Sequence, residues 1–330
     1  MTYPLNPLVY SKEVEVEPIR AGFGRGLKVA GEQDQNVVAL CADLTESTQM
    51  HLFRDAFPKR FIEIGIAEQN LVTVASGLAR AGKIPFTSSY AAFSPGRNWE
   101  QIRTTATLNN QPVKIVGSHA GVSVGPDGAT HQMLEDIALM RVLPNMVVVA
   151  PGDSLEAEKA TLAVAQNGKP SYLRLAREKT PVFSTADAPF EIGKAYVLKE
   201  GTDVSLLGTG TMTYHLLIAA KLLEEHGINA EVVHVPTIKP LDHETILASA
   251  RKTGRVVTAE EAQAAGGFGS AVTEFLSDVL PMPIKRIGMQ DRFGESGTPN
   301  ELMEYFGFSG EKIAKTVLQF TEDMPRYHQH

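Results

Sequence analysis

Short runs of β-branched residues alternate along this chain with longer stretches rich in alanine and leucine. A strand followed by a helix, repeated many times, is typical of a mostly parallel sheet whose faces are covered by helices. The pattern therefore predicts an α/β fold. Because 330 residues exceed the size at which one hydrophobic core keeps growing, we expect two domains, each a mostly parallel sheet covered by helices.

The predicted elements alternate regularly through the first part of the chain. Strands are predicted at 37–41, 85–88, 113–118, 146–150 and 171–175. Helices are predicted at 18–30, 67–81, 99–108, 133–142 and 154–166, with Ser154 as the N-cap of the last one. The residues that follow each strand should meet at one edge of the sheet, where parallel sheets bind ligands.

A segment with two prolines and no helical period, residues 180–189, predicts a linker. We therefore expect a first domain at 1–180, a linker at 181–190 and a smaller second domain at 191–330. Its predicted strands are 203–207, 230–235, 255–259 and 284–288, and its predicted helices are 212–226, 242–251 and 267–280. The ending Tyr327-His328-Gln329-His330 is too short and irregular to predict a metal site, and we expect a frayed tail.

Charge and composition exclude several classes of protein. The chain has 31 Lys and Arg against 38 Asp and Glu and no basic block, so a nucleic-acid footprint is not expected. No stretch approaches the roughly 18 apolar residues of a membrane span. The lone Cys41 cannot form an intramolecular disulfide, and the amino-terminal residues lack the pattern of a secretory signal. The expected location is the cytoplasm.

One carboxylate occupies a position that suits chemistry. Residues 61–70 read as a strand-to-helix turn, with Glu68 ahead of a small, apolar helix face. An acid in the first turn also stabilises a helix by about 0.3–1 kcal/mol through the helix dipole. Spacing alone leaves both interpretations of Glu68 open.

Two aromatic residues and a glycine-rich loop follow later strands. Tyr90 and Phe93 lie three positions apart, and they form either a flat wall for a ligand or ordinary core packing. The loop 119–131 contains His119, Asp127 and His131, and long structured loops are often functional. Its histidines are twelve positions apart with no cysteine nearby, which does not fit a metal site. Hydrogen bonds to a polyhydroxylated ligand are the favoured use, with structural histidines as the alternative.

Basic residues and glycines complete the set of candidates. The arginines nearest these loops could grip a phosphate through their planar guanidinium groups, although most arginines are surface charges. They are Arg20, Arg97, Arg103, Arg174 and Arg177. Gly266, Gly267 and Gly269 do not complete a G-x-G-x-x-G fingerprint, so they predict close packing of a helix.

Taken together and in order, several segments resemble the C-terminal half of transketolase over residues from about 12 to about 320. The matching segments read GIAEQN at 65–70, SYAAF at 89–93, GPDGATHQ at 125–132 and GMQDRFGESG at 288–297. The resemblance implies a pyrimidine-binding domain followed by a transketolase C-terminal domain.

The resemblance also implies a missing half. The family holds thiamine diphosphate between this half and a pyrophosphate-binding half, whose metal motif is Gly-Asp-Gly with a downstream Asn. The one Gly-Asp pair here, Gly152-Asp153, is followed by Ser154, so no metal ligand is expected in this chain. The implied partner is an N-terminal transketolase subunit that binds the diphosphate and Mg²⁺ (or Ca²⁺), in an α2β2 assembly with active sites at subunit interfaces.

Cofactor contacts follow from the matched positions. Glu68 corresponds to the residue that donates a hydrogen bond to the cofactor's pyrimidine, or protonates it, and a buried carboxyl there could stay neutral or share a proton near pH 7. Tyr90 and Phe93 correspond to the residues that stack on the pyrimidine. The family often has a third aromatic where this chain has Gly96. Asp43 corresponds to a residue near the cofactor.

Substrate contacts follow in the same way. Asp127 corresponds to the residue that recognises the hydroxyl next to the ketose carbonyl, and His131 to the one that bonds the carbonyl-side oxygen during cleavage. The remaining matches lie at the sugar phosphate; they are Ser47, Arg20, His119 and Arg177, with Arg174 as the neighbouring alternative to Arg177.

The implied activity is transfer of a two-carbon ketol unit between phosphorylated ketose and aldose sugars, as in the pentose phosphate pathway. Two alternatives share the architecture: 1-deoxyxylulose-5-phosphate synthase, and the β subunit of the decarboxylating component of 2-oxo acid dehydrogenases. The synthase is usually one long chain, and no cue for docking a lipoamide domain is evident here. A non-catalytic scaffold or binding protein with the same fold is the alternative from another class, and the presence of Glu68 argues against it.

Overall fold

A computed structural model describes residues 3–327; residues 1–2 and 328–330, including most of the carboxyl-terminal Tyr327–His330 stretch, lie outside the described part. The strands are β1 (Val16–Pro18), β2 (Val37–Cys41), β3 (Phe61–Glu63), β4 (Ile84–Tyr90), β5 (Lys114–Ser118), β6 (Val147–Val149), β7 (Ser171–Arg174), β8 (Lys179–Pro181), β9 (Tyr196–Lys199), β10 (Val204–Gly208), β11 (Ala230–His234), β12 (Thr237–Lys239), β13 (Val256–Gln263) and β14 (Ile284–Met289). The helices are α1 (Ile19–Gln33), α2 (His51–Ala56), α3 (Glu68–Arg80), α4 (Trp99–Gln101), α5 (Asp136–Arg141), α6 (Ser154–Gln166), α7 (Met212–Glu224), α8 (His243–Thr253), α9 (Phe268–Val279), α10 (Pro299–Tyr305) and α11 (Gly310–Asp323).

The first domain is built on a seven-stranded sheet in the order β12-β6-β7-β5-β4-β2-β3. Every pair in it is parallel except β12 with β6. All residues of β2 and β5 are buried, because helices cover both faces of the sheet. A parallel sheet buried on both faces needs near-continuous apolar strands, and these are the runs that the sequence pattern reveals.

The second domain has a five-stranded sheet in the order β14-β13-β10-β11-β9. Its strands pair in parallel except for β9, which pairs antiparallel with β11 at the edge. The predicted fold class, two α/β domains with mostly parallel sheets flanked by helices, is confirmed.

The proline-containing segment after the first domain packs tightly against the rest of the molecule. Its first residues continue from β8, which pairs antiparallel with β1 in a separate two-stranded sheet. Val182 and Phe183 are buried, and the backbone N–H of Ser184 donates to Asp153 Oδ2 at 2.7 Å. The segment therefore connects the domains without being loose, and the domain boundary at 181–190 stays a prediction.

A second connection between the domains comes from β12. This strand follows β9, β10 and β11 in the chain but pairs with β6 of the first sheet, with Thr237 opposite Val149. Nearby, His234 Nε2 lies 2.7 Å from Glu156 Oε2 with both side chains buried. The shared sheet and this buried polar contact are two of the links between the domains.

Three predictions differ from the structure in ways that go beyond shifted element bounds. The N-cap of α6 is Asp153, whose carboxylate accepts the N–H of Glu156 at 2.9 Å, and Ser154 is the first helical residue. The helix predicted at 99–108 is α-helical only in α4 and then widens to a π-helix at Ile102–Thr107. The helix predicted at 133–142 begins at Asp136, because the preceding residues belong to the loop that follows β5.

No helix within residues 3–327 is both long and apolar enough to cross a membrane.

Candidate active site

Five neighbouring strands of the first sheet end at one edge, and a predicted site residue follows each of them. The strands run β7-β5-β4-β2-β3 with parallel pairing, so their carboxyl ends lie side by side. The residues that follow are Arg177 after β7, His119 after β5, Tyr90 at the end of β4, Asp43 after β2 and Glu68 after β3. The topology thus gathers residues that are up to 134 positions apart in sequence.

Four rings form the centre of this edge. Tyr90 stacks on His119 with ring centroids 3.8 Å apart and planes tilted by 26°. Its other neighbour is Phe93, at 6.0 Å and 20°. His131 meets Phe93 edge-on at 5.5 Å and Tyr90 at 6.3 Å. The structure therefore brings Tyr90, Phe93, His119 and His131 into one half-buried aromatic cluster.

Gly96, which replaces the third aromatic of the family pattern, closes a tight turn. A Cβ at this position would collide with the carbonyl oxygen of Ala92, and the Gly96 N–H donates to Ala91 O at 3.3 Å. No side chain fits there without moving the backbone. On the side of Tyr90, the imidazole of His119 supplies the stacked ring.

His119 is a neutral histidine held from both sides. Its side chain is 2% exposed, and Arg20 Nη1 lies 3.2 Å from Nε2 while Ser118 Oγ lies 2.9 Å from Nδ1. A guanidinium can only donate, so Nε2 accepts and Nδ1–H donates to Ser118. Burial, Arg20, Arg177 and His131 lower the pKa of His119 to about 3.

Arg20 and Arg177 both lie close enough to this histidine to lower its pKa through their charges, and the Glu178 carboxylate is near both arginines. Burial and the charge of Arg177 lower the pKa of Arg20, while Glu178 opposes the shift. The Nε of Arg20 is buried and finds no hydrogen-bond partner among residues 3–327. Arg177 donates to Val124 O at 2.6 Å and lies 3.3 Å from Glu178. Two arginines with an unused buried donor make a site that suits an anion.

Arg174 has a different role from Arg177. It is 7% exposed, its Nε donates to Asp136 Oδ2 at 2.8 Å, and its Nη2 donates to the carbonyl of Glu261 at 2.8 Å. Tyr172 donates to the same Asp136 oxygen at 2.7 Å. Arg174 is therefore committed to a buried ion pair, and Arg177 is the arginine that stands beside Arg20 and His119.

Glu68 is the first residue of α3 and is buried, with 3% of its side chain exposed. Arg97 Nη1 lies 3.4 Å from its Oε2, and Asn98 donates to its carbonyl at 2.8 Å. The N–H of Arg97 bonds to Phe93 O at 2.9 Å, so the turn 93–98 connects the carboxylate to the aromatic cluster. Trp99 follows in this turn and donates its indole N–H to Leu139 O at 2.8 Å.

Asp43 and Ser47 lie on the adjacent loop after β2 and outside the aromatic cluster. Asp43 is exposed and has a left-handed backbone with φ +57°, while Ser47 Oγ donates to Leu44 O at 3.2 Å. Glu63, at the end of β3, organises this region. Its Oε1 accepts the N–H groups of Asp43 and Gly65, each at 2.8 Å, and its Oε2 accepts the hydroxyl of Thr45 at 3.2 Å.

Glu63 is a positioning residue that sequence reasoning missed. It joins the loop that carries Asp43 to the turn that precedes Glu68. An acidic residue at the end of a short strand gives no signal by itself. Gly65 suggests a turn in the sequence, but its φ of +75° and its hydrogen bond to Glu63 are seen only in the structure.

The loop after β5 presents Asp127 at its exposed tip. Left-handed glycines bend the loop at Gly121, Gly125 and Gly128, with φ of +90°, +86° and +71°. His131 Nδ1 lies 2.8 Å from Thr130 Oγ1. The loop thus brings His131 to the aromatic rings, whereas Asp127 is exposed to solvent.

The glycines before α9 serve helix packing, as predicted. A Cβ at Gly267 would collide with Glu260 Oε2, and that carboxylate accepts the N–H groups of Phe268 at 2.6 Å and Gly269 at 2.8 Å. Glu260 is fully buried, and desolvation raises its pKa to about 7. The carboxylate of Glu260 therefore satisfies the backbone N–H groups at the start of α9.

Comparison with known proteins agrees with this architecture. Residues 18–182 match the family model of the transketolase pyrimidine binding domain, and residues 193–313 match that of the transketolase C-terminal domain. The "Putative transketolase C-terminal section" of Methanocaldococcus jannaschii is 44% identical, over 91% of this chain and 95% of that protein. The 6-deoxy-6-sulfo-D-fructose transketolase subunit SqwH of a Clostridium species is 41% identical, over 88% of this chain and 90% of that protein.

A solved structure extends the likeness to three dimensions. The structure of a split gene transketolase, an inactive beta4 tetramer, is 44% identical and superposes with a TM-score of 0.87 over 92% of this chain and 98% of that chain. The chain therefore belongs to the transketolase family, and it carries the pyrimidine-binding and C-terminal domains of that family.

Proposed function

We propose that this chain is the C-terminal subunit of a split, thiamine-diphosphate-dependent transketolase. It transfers a two-carbon ketol unit between phosphorylated ketose and aldose sugars, together with an N-terminal subunit. The observation that carries the proposal is the sheet edge itself, where a buried carboxylate and an aromatic cluster lie beside two arginines that both act on His119. These are the parts that a pyrimidine ring, a ketose carbonyl and a terminal anion require.

The residues at this edge fit half of the cofactor. Tyr90 and Phe93 offer a half-buried apolar wall for a flat ring, and Glu68 offers a buried carboxyl group. When bound, thiamine diphosphate supplies the nucleophilic carbon that cleaves the ketose and the ring system that stores the electron pair. Asp43 lies on the loop beside the turn that precedes Glu68, and in this proposal its side chain lies near the bound cofactor.

Glu68 has the position of a proton-holding residue. It is buried at the first residue of α3, and Arg97 Nη1 lies 3.4 Å from its Oε2. In this role its carboxyl group would form a hydrogen bond with a ring nitrogen of the pyrimidine. Tyr90 and Phe93 keep water from the same place, which strengthens that hydrogen bond.

The substrate is assigned to the other side of the aromatic cluster. His131 and Asp127 would bond the oxygen on the carbonyl side and the adjacent hydroxyl, and buried hydroxyl partners discriminate between sugars. Arg20 and Arg177 would hold the terminal anion, with neutral His119 and Ser47 as further hydrogen-bonding groups. The unused Nε of Arg20 is a donor that such an anion would satisfy.

A partner subunit is part of the proposal. Ile66, two residues before Glu68, is 74% exposed, and Val74 on α3 is 40% exposed, so apolar surface lies open beside the catalytic carboxylate. The N-terminal subunit is assigned to this surface and would supply the diphosphate and Mg²⁺ (or Ca²⁺) ligands in an α2β2 assembly. That a related split gene transketolase is inactive as a beta4 tetramer supports the need for a second kind of subunit.

The experiment is reconstitution with a candidate N-terminal subunit that carries the Gly-Asp-Gly motif. The pair is assayed with thiamine diphosphate and Mg²⁺, using xylulose 5-phosphate with ribose 5-phosphate, a 6-sulfo ketose donor, and pyruvate. Ketol transfer by the pair, and none by either chain alone, is the expected result. Consumption of pyruvate alone would replace transketolase with a decarboxylating activity, and an inactive pair would favour the scaffold alternative.

A further inference from the structure

Glu261 is a buried carboxylate of the second domain that faces the loop of the first. It lies on β13, is 2% exposed, and its Oε1 accepts the backbone N–H of Ser123 at 2.6 Å. Its Oε2 accepts the hydroxyl of Thr211, ahead of α7, at 3.0 Å. Both oxygens are therefore used, one by each domain.

The loop is shaped to receive this carboxylate. A Cβ at Gly121 would collide with Glu261 Oε1, and Gly121 has a φ of +90° that disfavours any other residue. Ser123 lies in a single 3₁₀ turn, Val122–Val124, and an N–H at such a short turn needs an acceptor from outside it. Within residues 3–327 the acceptor recorded for Ser123 N–H is Glu261.

The turn that Glu261 holds is also the support of the proposed anion site. Val124, the residue after Ser123, accepts the guanidinium of Arg177 through its carbonyl at 2.6 Å. Arg177 in turn acts on Arg20 and His119 through its charge. A continuous set of contacts thus runs from Thr211 through Glu261 and the turn to Arg177.

The backbone of Glu261 is fixed as firmly as its side chain. Arg174, paired with Asp136 of the first domain, donates to its carbonyl at 2.8 Å. Two residues later, Gln263 N–H donates to Leu134 O at 2.8 Å. The carboxylate is therefore carried on a strand that is itself bound to the first domain.

We propose that Glu261 is a positioning residue through which the C-terminal domain sets the turn Val122–Val124 and, with it, Arg177 at the terminal anion of the substrate. The link to the substrate rests on the proposed function, whereas the link to the turn does not. Glu261 contacts neither substrate nor cofactor, and it acts through the turn Val122–Val124.

Amide hydrogen exchange on the full chain tests the structural half of the proposal. Glu261→Ala leaves Ser123 N–H without its acceptor, and peptides covering residues 120–126 are expected to exchange about tenfold faster. Glu261→Gln keeps an amide oxygen for Ser123 and is expected to restore most of the protection. Should the alanine variant not fold, Thr211→Val removes the other partner of the carboxylate and should give a smaller increase in the same peptides.

The matched control is the neighbouring residue on the same strand. Successive residues of a strand point to opposite faces, and Glu260 bonds to the N-terminus of α9. Glu260→Gln should therefore leave exchange at 120–126 unchanged. If peptides covering residues 120–126 exchange equally fast in the wild type and in the Glu261→Ala and Thr211→Val variants, the proposal is overturned. This result does not depend on which substrate the enzyme uses.

Kinetics of the reconstituted pair test the link to Arg177. In Glu261→Ala, KM for xylulose 5-phosphate is expected to rise about tenfold while kcat changes little, because an anion contact made in both ground and transition states is weakened. KM for xylulose, the same ketose without its phosphate group, should stay unchanged. A rise of equal size for both donors would overturn the link. A pair without any ketol transfer would overturn the proposed function, and the exchange experiment would still decide the role of Glu261.

Discussion

His119 combines burial, a positively charged environment and an uncommon backbone conformation in one residue. Its φ is +59°, a region in which a side chain other than glycine is sparsely found and which is often associated with functional sites. The ring is stacked on Tyr90 and faces Arg20. A histidine kept neutral in this way leaves Arg20 and Arg177 as the groups that would offer positive charge to an anion here.

The first prediction concerns the pH dependence of stability that His119 creates. Its folded pKa of about 3 is below the unfolded value of about 6.5, so between these limits the unfolded chain binds a proton that the folded chain does not. Stability from this residue is complete above pH 6.5 and declines as pH falls, by about 1.4 kcal/mol per pH unit. His119→Gln is expected to reduce that slope.

Urea unfolding between about pH 7 and pH 5 measures this slope. The same substitution at the exposed His226 is the matched control, and it should leave the slope as in wild type. An unchanged slope in the His119 variant would show that its imidazole titrates freely in the folded chain.

The second prediction concerns Glu68. Glu68→Gln preserves the size of the side chain and the start of α3, so the free energy of unfolding should change by no more than about 1 kcal/mol. An amide cannot hold and release the proton, and ketol transfer by the reconstituted pair should fall by about 10²–10⁴-fold. Glu100→Gln, an exposed site in α4, is the control that should retain activity. Near-wild-type turnover in the Glu68 variant would remove it from the proton transfer.

At the scale of elements, the contact between α1 and α6 depends on glycines. A Cβ at Gly22 would collide with the carbonyl of Ser154, and one at Gly26 would lie 2.8 Å from the carbonyl of Glu158. The two glycines are four positions apart and therefore share one face of α1. This close approach places Arg20, in the first turn of α1, beside His119.

The third prediction uses these glycines. Gly22→Ala should lower the free energy of unfolding by about 1–3 kcal/mol, because backbone atoms of α6 cannot move away from the new methyl group. Gly77→Ala in α3 is the matched control, since nothing lies within 4 Å of its Cβ position. That variant should gain about 0.5–1 kcal/mol from higher helix propensity. Chemical denaturation of the isolated chain compares the two, and equal effects would contradict the packing argument.

The elements that the sequence predicted are those with a long apolar period. The strand predicted at 37–41 coincides with β2, which is buried throughout, and the helix predicted at 154–166 coincides with α6, whose buried residues recur at helical spacing. Three-residue strands such as β3 and β12 give no periodic signal, since their pairing is decided by the neighbouring strand. The π-helix at 102–107 keeps a helical period while its hydrogen bonds shift, so no pattern distinguishes it from an α-helix.

The candidate site also contains some residues that the sequence could locate and others that it could not. Residues directly after strong strands, such as Tyr90 and His119, could be placed at one edge of a sheet from topology rules alone. Glu63 and Glu261 could not be found, because each bonds to a backbone N–H of another loop, that of Asp43 and that of Ser123. Arg174 and Arg177 could not be distinguished until Asp136 was seen to neutralise the former.

At the scale of the whole molecule, the domains are coupled by polar groups at several points. Glu156 on α6 pairs with His234 on β11, and Thr213 lies 2.6 Å from the other nitrogen of that histidine. Arg174 bonds to the carbonyl of Glu261. These buried contacts, together with β12, predict that the two domains unfold as one unit.

The fourth prediction tests this coupling. The chain has a single tryptophan, Trp99, in the first domain, so its fluorescence reports that domain while calorimetry reports the whole. The midpoint temperatures of thermal unfolding measured by fluorescence and by calorimetry should coincide in the wild-type chain. Glu156→Gln replaces the buried carboxylate that bonds to His234 and should lower the free energy of unfolding by about 1–3 kcal/mol, with the two unfolding midpoints moving apart.

Glu158→Gln, two residues along on a half-buried position, is the control and should keep a single transition. Separate unfolding midpoints already in the wild-type chain would mean that the contacts between the domains contribute little to the stability of either domain.

Strand β12 belongs to the second domain by its place in the chain and to the first by its pairing with Val147–Val149. A chimera that borrows the C-terminal domain of a relative would therefore import the outermost strand of its host's larger sheet. Grafting at residues 181–190 can succeed only where the donor's strand meets the host's β6 in register, so compatibility of such exchanges is decided by two short strands far from the splice.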